Sequence, residues 1–148
     1  MDYLDLDLTL TKEDIMLKKA AHEFARDVMR PVSIEMDKMT AEEAIAPDSP
    51  FWDFKRKAYE LEFHTILIPD AYGGQGLSPK QLHIVLEELA WGSVGLTVDL
   101  VIAAFPAYLA SMVPSEEMIE EILEPFCSCR DGHTAGCWAI TEPMHGSD

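Results

Sequence analysis

The residues best equipped for chemistry close the chain: Trp138-Ala139-Ile140-Thr141-Glu142-Pro143-Met144-His145-Gly146-Ser147-Asp148. The alternation across residues 137–141 predicts a short strand. Pro143, with no N–H and a fixed φ, breaks it. Gly146 and Ser147 then let backbone N–H groups approach an anionic oxygen closely. A strand, a break and small residues with donors are the makings of a cradle for a phosphate or the edge of a flavin.

Three other groups compete for attention. Gly73-Gly74-Gln75-Gly76 resembles a phosphate loop on paper. It has neither the Gly-Lys-Ser/Thr of a nucleotide-binding loop nor a strand before it, so a structural turn is expected. Cys127, Cys129, His133 and Cys137 offer four soft ligands in a short span. Their spacing lacks the usual Cys pair and knuckle, and Cys127 ends an apolar helix where a thiol is a small hydrophobe, so no metal site is assigned. His22, His64 and His83 have no partnered Ser or Cys and read as ordinary packing or surface histidines, and Phe51, Trp52 and Phe54 read as packing residues.

The elements that must position these groups are helical. Thr11 caps a helix over residues 12–30 whose Ile15, Ala20, Phe24, Ala25, Val28 and Met29 share a face, and Pro31 ends or kinks it. Residues 40–50 read as a loop with one helical turn. Ser49-Pro50 and Ser78-Pro79 each place a cap before a first-turn proline, predicting helices over residues 51–63 and 79–91. Residues 93–113 carry one charge, Asp99, and predict a helix buried all round. Ser115 caps a last helix to about residue 126, with a wet face of glutamates. The strand at residues 137–141 has no partner in this sequence and belongs to a sheet completed elsewhere.

Composition narrows the functions. Eleven Lys and Arg against 27 Asp and Glu give a formal charge of −16 in 148 residues, which argues against nucleic-acid binding. The 48 % hydrophobic content supports a core. The longest uninterrupted apolar stretch, residues 101–110, contains Pro106 and is too short for a membrane span. The acidic N-terminus is unlike a signal peptide or presequence, so a cytoplasmic location is expected. Three cysteines make no disulfide framework.

As strings, four ordered motifs resemble the acyl-CoA dehydrogenase family. They are Phe24-Ala25-Arg26-Asp27 with Pro31, Pro69-Asp70-Ala71-Tyr72-Gly73-Gly74-Gln75-Gly76, Glu87-Glu88-Leu89-Ala90, and Thr141-Glu142-Pro143-x-x-Gly146-Ser147-Asp148. The resemblance implies an all-α, multi-helix orthogonal bundle over residues 1–134. The first strand and flavin loop of a truncated β-domain would follow at residues 135–148.

It also implies FAD and α,β-dehydrogenation of an acyl-CoA thioester. The catalytic glutamate would come from a C-terminal domain, so no glutamate here is nominated and no catalytic residue is assigned. By the same resemblance Trp138, Ile140 and Thr141 would meet the flavin, and Gly146 and Ser147 its phosphates, with Ser147 also near the CoA. Met144-His145 replaces the common Gly-Ala and puts a bulky pair in the turn. The helix after Gly95 would line the acyl pocket through Val101 and Phe105, suiting a hydrocarbon chain better than a dicarboxylate. Family members commonly form tetramers, a homo-oligomer expected here too, and pass electrons to an electron-transfer flavoprotein. The isolated chain is expected to be inactive. The rival readings are a naturally short helical interaction module, an oxidase or monooxygenase relative, and a small metal-binding protein.

Overall fold

The computed structural model describes residues 9–137 and 139–146. Among these the regular structure is helical throughout: α1 (Lys12–Phe24), a π turn (Ala25–Met29), α2 (Arg30–Met36), α3 (Ala41–Ala44), α4 (Pro50–Glu60), α5 (Pro79–Gly92), α6 (Val94–Met112), α7 (Glu116–Met118), a second π turn (Ile119–Leu123) and α8 (Glu124–Ser128). Short 3₁₀ turns lie at Phe63–Thr65 and Asp70–Tyr72. The chain divides into two compact units, Met1–Phe54 with Leu77–Thr97 and Lys55–Gly76 with Val98–Asp148.

In the first unit, α1 packs against α5. Thr11 and Asp14 cap α1 reciprocally, Thr11 N donating to Asp14 Oδ2 at 2.9 Å and Asp14 N to Thr11 Oγ1 at 3.2 Å. Lys80 on α5 donates to the same carboxylate at 2.6 Å and, with the Thr11 amide, holds the buried Asp14 below the usual carboxylate range. Farther along, buried Glu88 accepts from His22 Nδ1 at 2.7 Å. A Cβ at Gly92 would lie 2.8 Å from the Ala25 Cβ, so glycine permits this closest approach. Ala21, Phe24, Ala25 and Met29 form the buried face of the α1 segment, while Ile15 and Ala20 of the expected face are exposed.

Pro31 does not end the first helix. The chain runs through the π turn into α2 and on to Met36. A proline cannot donate to the carbonyl four residues back and its ring crowds that carbonyl; a wider turn just upstream accommodates both. The second π turn bears the same relation to Pro125, each ending two residues before its proline.

The core of the second unit gathers Ile68, Ala104, Ala107, Ala110, Leu123, Phe126 and Cys127. Its glycine loop is a turn whose donors are spent on backbone: Gly73 N on Asp70 O, Gly74 N on Pro69 O and Gly76 N on Ile68 O, at 3.0–3.1 Å. At Gly74 a Cβ would fall 2.1 Å from the Ile68 oxygen, which excludes any side chain there.

Residues 137 and 139–141 pair with no second strand among the described residues, and the expected sheet is one completed outside this sequence. One expectation fails. The helix at residues 93–113 is not buried all round: Val98, Ile102, Tyr108, Leu109 and Met112 of α6 are exposed. At 19 residues α6 is also long and apolar enough to cross a bilayer by length and composition, contrary to the shorter run read from the sequence. Its other face, with Leu100, Ala103, Ala104 and Ala107, is buried in protein, as in a core helix.

Candidate functional site

The site residues proposed from sequence fall on two stretches of the second unit. Ile140, Thr141 and Gly146 lie on an exposed, irregular segment, with Ile140 63 % accessible. Trp138 and Ser147 lie outside the described residues. Val101 and Phe105 sit half-buried on α6. Toward the C-terminal end of α6 a cleft of about 450 Å³ is walled by Pro106, Leu109, Ala110, Val113, Met118 and Ile122, none of them charged.

What joins the two stretches is backbone. Gly136 N donates to Ala103 O on α6 at 3.0 Å. Gly136 is in van der Waals proximity to Pro106, for a Cβ there would lie 2.5 Å from the ring Cγ and 3.0 Å from Ala103 O. Upstream, Tyr59 Oη on α4 donates to Thr134 O at 2.9 Å. Gly132, at φ +80°, lies against the Lys55–Arg56 backbone. Residues 132–136 are thus held at three points. Sequence reasoning passed over Tyr59, Ala103, Gly132 and Gly136. The signal available was Pro106 itself, which disturbs an otherwise regular apolar helix and marks a place where another backbone can dock.

Buried charge lies beneath this segment. Lys55, almost wholly buried, pairs with Asp99 at 3.2 Å, which accounts for the one charge in the apolar helix. Burial, with Asp99 among the nearby negative groups, raises the Tyr59 phenol far above its usual range, so it stays a donor. The soft-ligand set is not assembled as a metal centre. Cys127 is buried, its thiol pushed up by burial, Cys129 donates to Asp131 at 3.2 Å, and Cys137 is exposed. No group of three or more His, Cys, Asp or Glu able to hold a metal occurs among the described residues.

A family model described as "Acyl-CoA dehydrogenase, N-terminal domain" matches residues 11–130. The chain belongs to this family. It is 27 % identical over 148 residues to a probable medium-chain specific acyl-CoA dehydrogenase 2 of Caenorhabditis briggsae, a match covering 98 % of this chain and 32 % of that one. It is 30 % identical over 145 residues to the glutaryl-CoA dehydrogenase of Desulfococcus multivorans, covering 97 % and 35 %. A nitroalkane oxidase structure shares the fold at a TM-score of 0.69 and 24 % identity, over 83 % of this chain and 28 % of that one. The chain spans about a third of the length of the curated relatives it matches.

Membership in the acyl-CoA dehydrogenase family implies FAD, and the described residues fit one wall of such a site. Ile140 offers an apolar contact and Thr141 a hydroxyl on the same exposed stretch. A Cβ at Gly146 would meet nothing within 4 Å, so open space surrounds this glycine.

Proposed function

We propose that this chain is the helical N-terminal part of an FAD-dependent enzyme that oxidises acyl-CoA thioesters between Cα and Cβ. The observation that carries the reading is the family match across residues 11–130, with Thr141-Glu142-Pro143 following later in the chain. Trp138, Ile140, Thr141, Gly146 and Ser147 form its wall of the flavin site, and Val101 and Phe105 line the acyl group. Bound FAD would supply the hydride acceptor; this chain's part is to wall the flavin and shape the acyl pocket. The apolar character of α6 around Val101 and Phe105 favours a hydrocarbon acyl group over a second carboxylate. The α-proton is assigned to no glutamate of this chain: Glu88 is buried against His22 and Lys18, and those of the last helical run are exposed. The oligomer and the electron-transfer flavoprotein partner belong to the same proposal and rest on the family alone.

The test is a fusion of this chain to the remaining two thirds of the medium-chain relative. The expected product is yellow and oxidises a straight-chain acyl-CoA with an artificial acceptor, while the isolated chain does neither. A fusion that folds but holds no flavin, or an isolated chain that turns over substrate, would sink the proposal.

The exposed apolar side of α6 favours a second reading, in which that face serves as a protein-interaction surface without catalysis. A fusion inactive in every respect, combined with a native protein that ends at Asp148, would move the weight to it.

A further inference from the structure

We propose that Gly136 is a positioning residue: with Ala103, Pro106 and Tyr59 it clips the start of the flavin-facing segment to the helix that walls the acyl pocket. The proposal rests on the reading of residues 138–147 given above. Its own support is geometric and comes from three separate contacts.

Pro106 presents no N–H toward the carbonyl of Ile102, and α6 runs unbroken past it. Against this turn comes Gly136, whose amide bonds the neighbouring Ala103 carbonyl at 3.0 Å. Only a glycine fits the approach, because a β-carbon would stand 2.5 Å and 2.8 Å from the Pro106 ring carbons. Two residues earlier the Tyr59 hydroxyl holds the Thr134 carbonyl at 2.9 Å. At Gly132 a positive φ turns the chain against Lys55 and Arg56, where a β-carbon would be 3.0 Å from Lys55 Cγ. After the clip no strand or helix follows through residue 146 among the described residues. The clip is therefore the last fixed point before the segment that meets the flavin. It sits one residue from Phe105 and two from Val101, counting from Pro106 and Ala103. Acyl wall and flavin wall are thereby held in one register by a single backbone bond.

The test uses the chain as it is and nuclear magnetic resonance. In the wild type the Gly136 amide is expected to exchange at least ~10-fold more slowly than that of Ala139, and residues 137–141 to show the order of a tethered segment. Gly136→Ala should abolish that protection and lower the order parameters of residues 137–141, with the amides of α1 and α5 unchanged. Adding Pro106→Ala, which removes the clashing ring, should restore much of the order. If Gly136→Ala does not fold, Tyr59→Phe carries the test through the same order parameters. In the flavin-loaded fusion, Gly136→Ala should release FAD ~10-fold faster and blur the flavin absorption band.

Equal exchange at Gly136 and Ala139 in the wild type overturns the clip. So does loosening that Pro106→Ala fails to reverse. Loosening that leaves flavin release and spectrum unchanged overturns the positioning role. The exchange measurement involves no flavin, so the clip can fail while the dehydrogenase reading stands, and the converse.

Discussion

His64 sits at the centre of the second unit with no accessible surface, stacked on Tyr59 at 3.9 Å between ring centroids and edge-on to Phe126 at 5.3 Å. Neither ring nitrogen reaches hydrogen-bond geometry with a partner among the described residues, and the Phe126 backbone alone lies close enough to favour its protonated form slightly. Burial, aided by the charge of Arg130, lowers its pKa to about 4. In the unfolded chain the imidazole titrates near 6.5. Between those values the unfolded state binds the proton and the folded state does not, so stability falls as the pH drops from about 6.5 toward about 4. The loss reaches on the order of 3 kcal/mol at the low end. His64→Phe keeps the ring stack and should flatten this part of the curve. Urea unfolding at pH 7 and pH 4.5 is the measurement, and an unchanged pH slope in the variant would remove His64 as the cause. Sequence had placed this histidine among ordinary packing residues, and it does pack; its missing partners could not be read there, because Tyr59 and Phe126 arrive from other elements.

At the scale of elements, the helix starts were written in the chain. Thr11, Thr40, Ser78 and Ser115 each accept a backbone N–H at the head of a helix, and Ser49 accepts one from Phe51 ahead of α4. These are local choices of a polar side chain over one turn, so local sequence decides them. The prolines were legible only as interruptions. Whether Pro31 stops a helix or is absorbed by a π turn depends on tertiary packing, here that of Ala25 on Gly92. That contact yields the next expectation. Gly92→Ala puts a methyl 2.8 Å from the Ala25 Cβ and 2.9 Å from its carbonyl oxygen. The gain in helix propensity, about 1 kcal/mol, should be exceeded by overpacking of about 1–3 kcal/mol, leaving the chain less stable in denaturant titration. A more stable variant would show that α1 and α5 can part without loss. The strand expected at residues 137–141 stands apart: alternation marks its side chains, but pairing needs a neighbour that local sequence does not contain.

Taken whole, the chain combines two tendencies that oppose each other. A formal charge of −16 opposes the approach of copies, while α6 shows water Val98, Ile102, Leu109 and Met112 at the spacing of one helical stripe. Composition revealed the charge at once. It could not reveal the stripe, because an apolar helix reads the same whether one side or every side is covered. The folded chain should bind a hydrophobic-surface dye, and Ile102→Glu with Leu109→Glu should cut that fluorescence several-fold without lowering Tm. Undiminished dye binding would place the exposed apolar surface elsewhere.

The two π turns carry a consequence for counting. Each takes one more residue than an α turn of the same height, so every side chain beyond it is rotated by about 100° from where an unbroken 3.6-residue helix would put it. Arg30–Met36 and Glu124–Ser128 are thus read in a different frame from the helices that lead into them. Removing one residue from Ala25–Met29 would restore an ordinary α turn and leave α2 on the face it already presents. A single-residue gap inside α1 itself would instead change the phase and reset which residues downstream point inward.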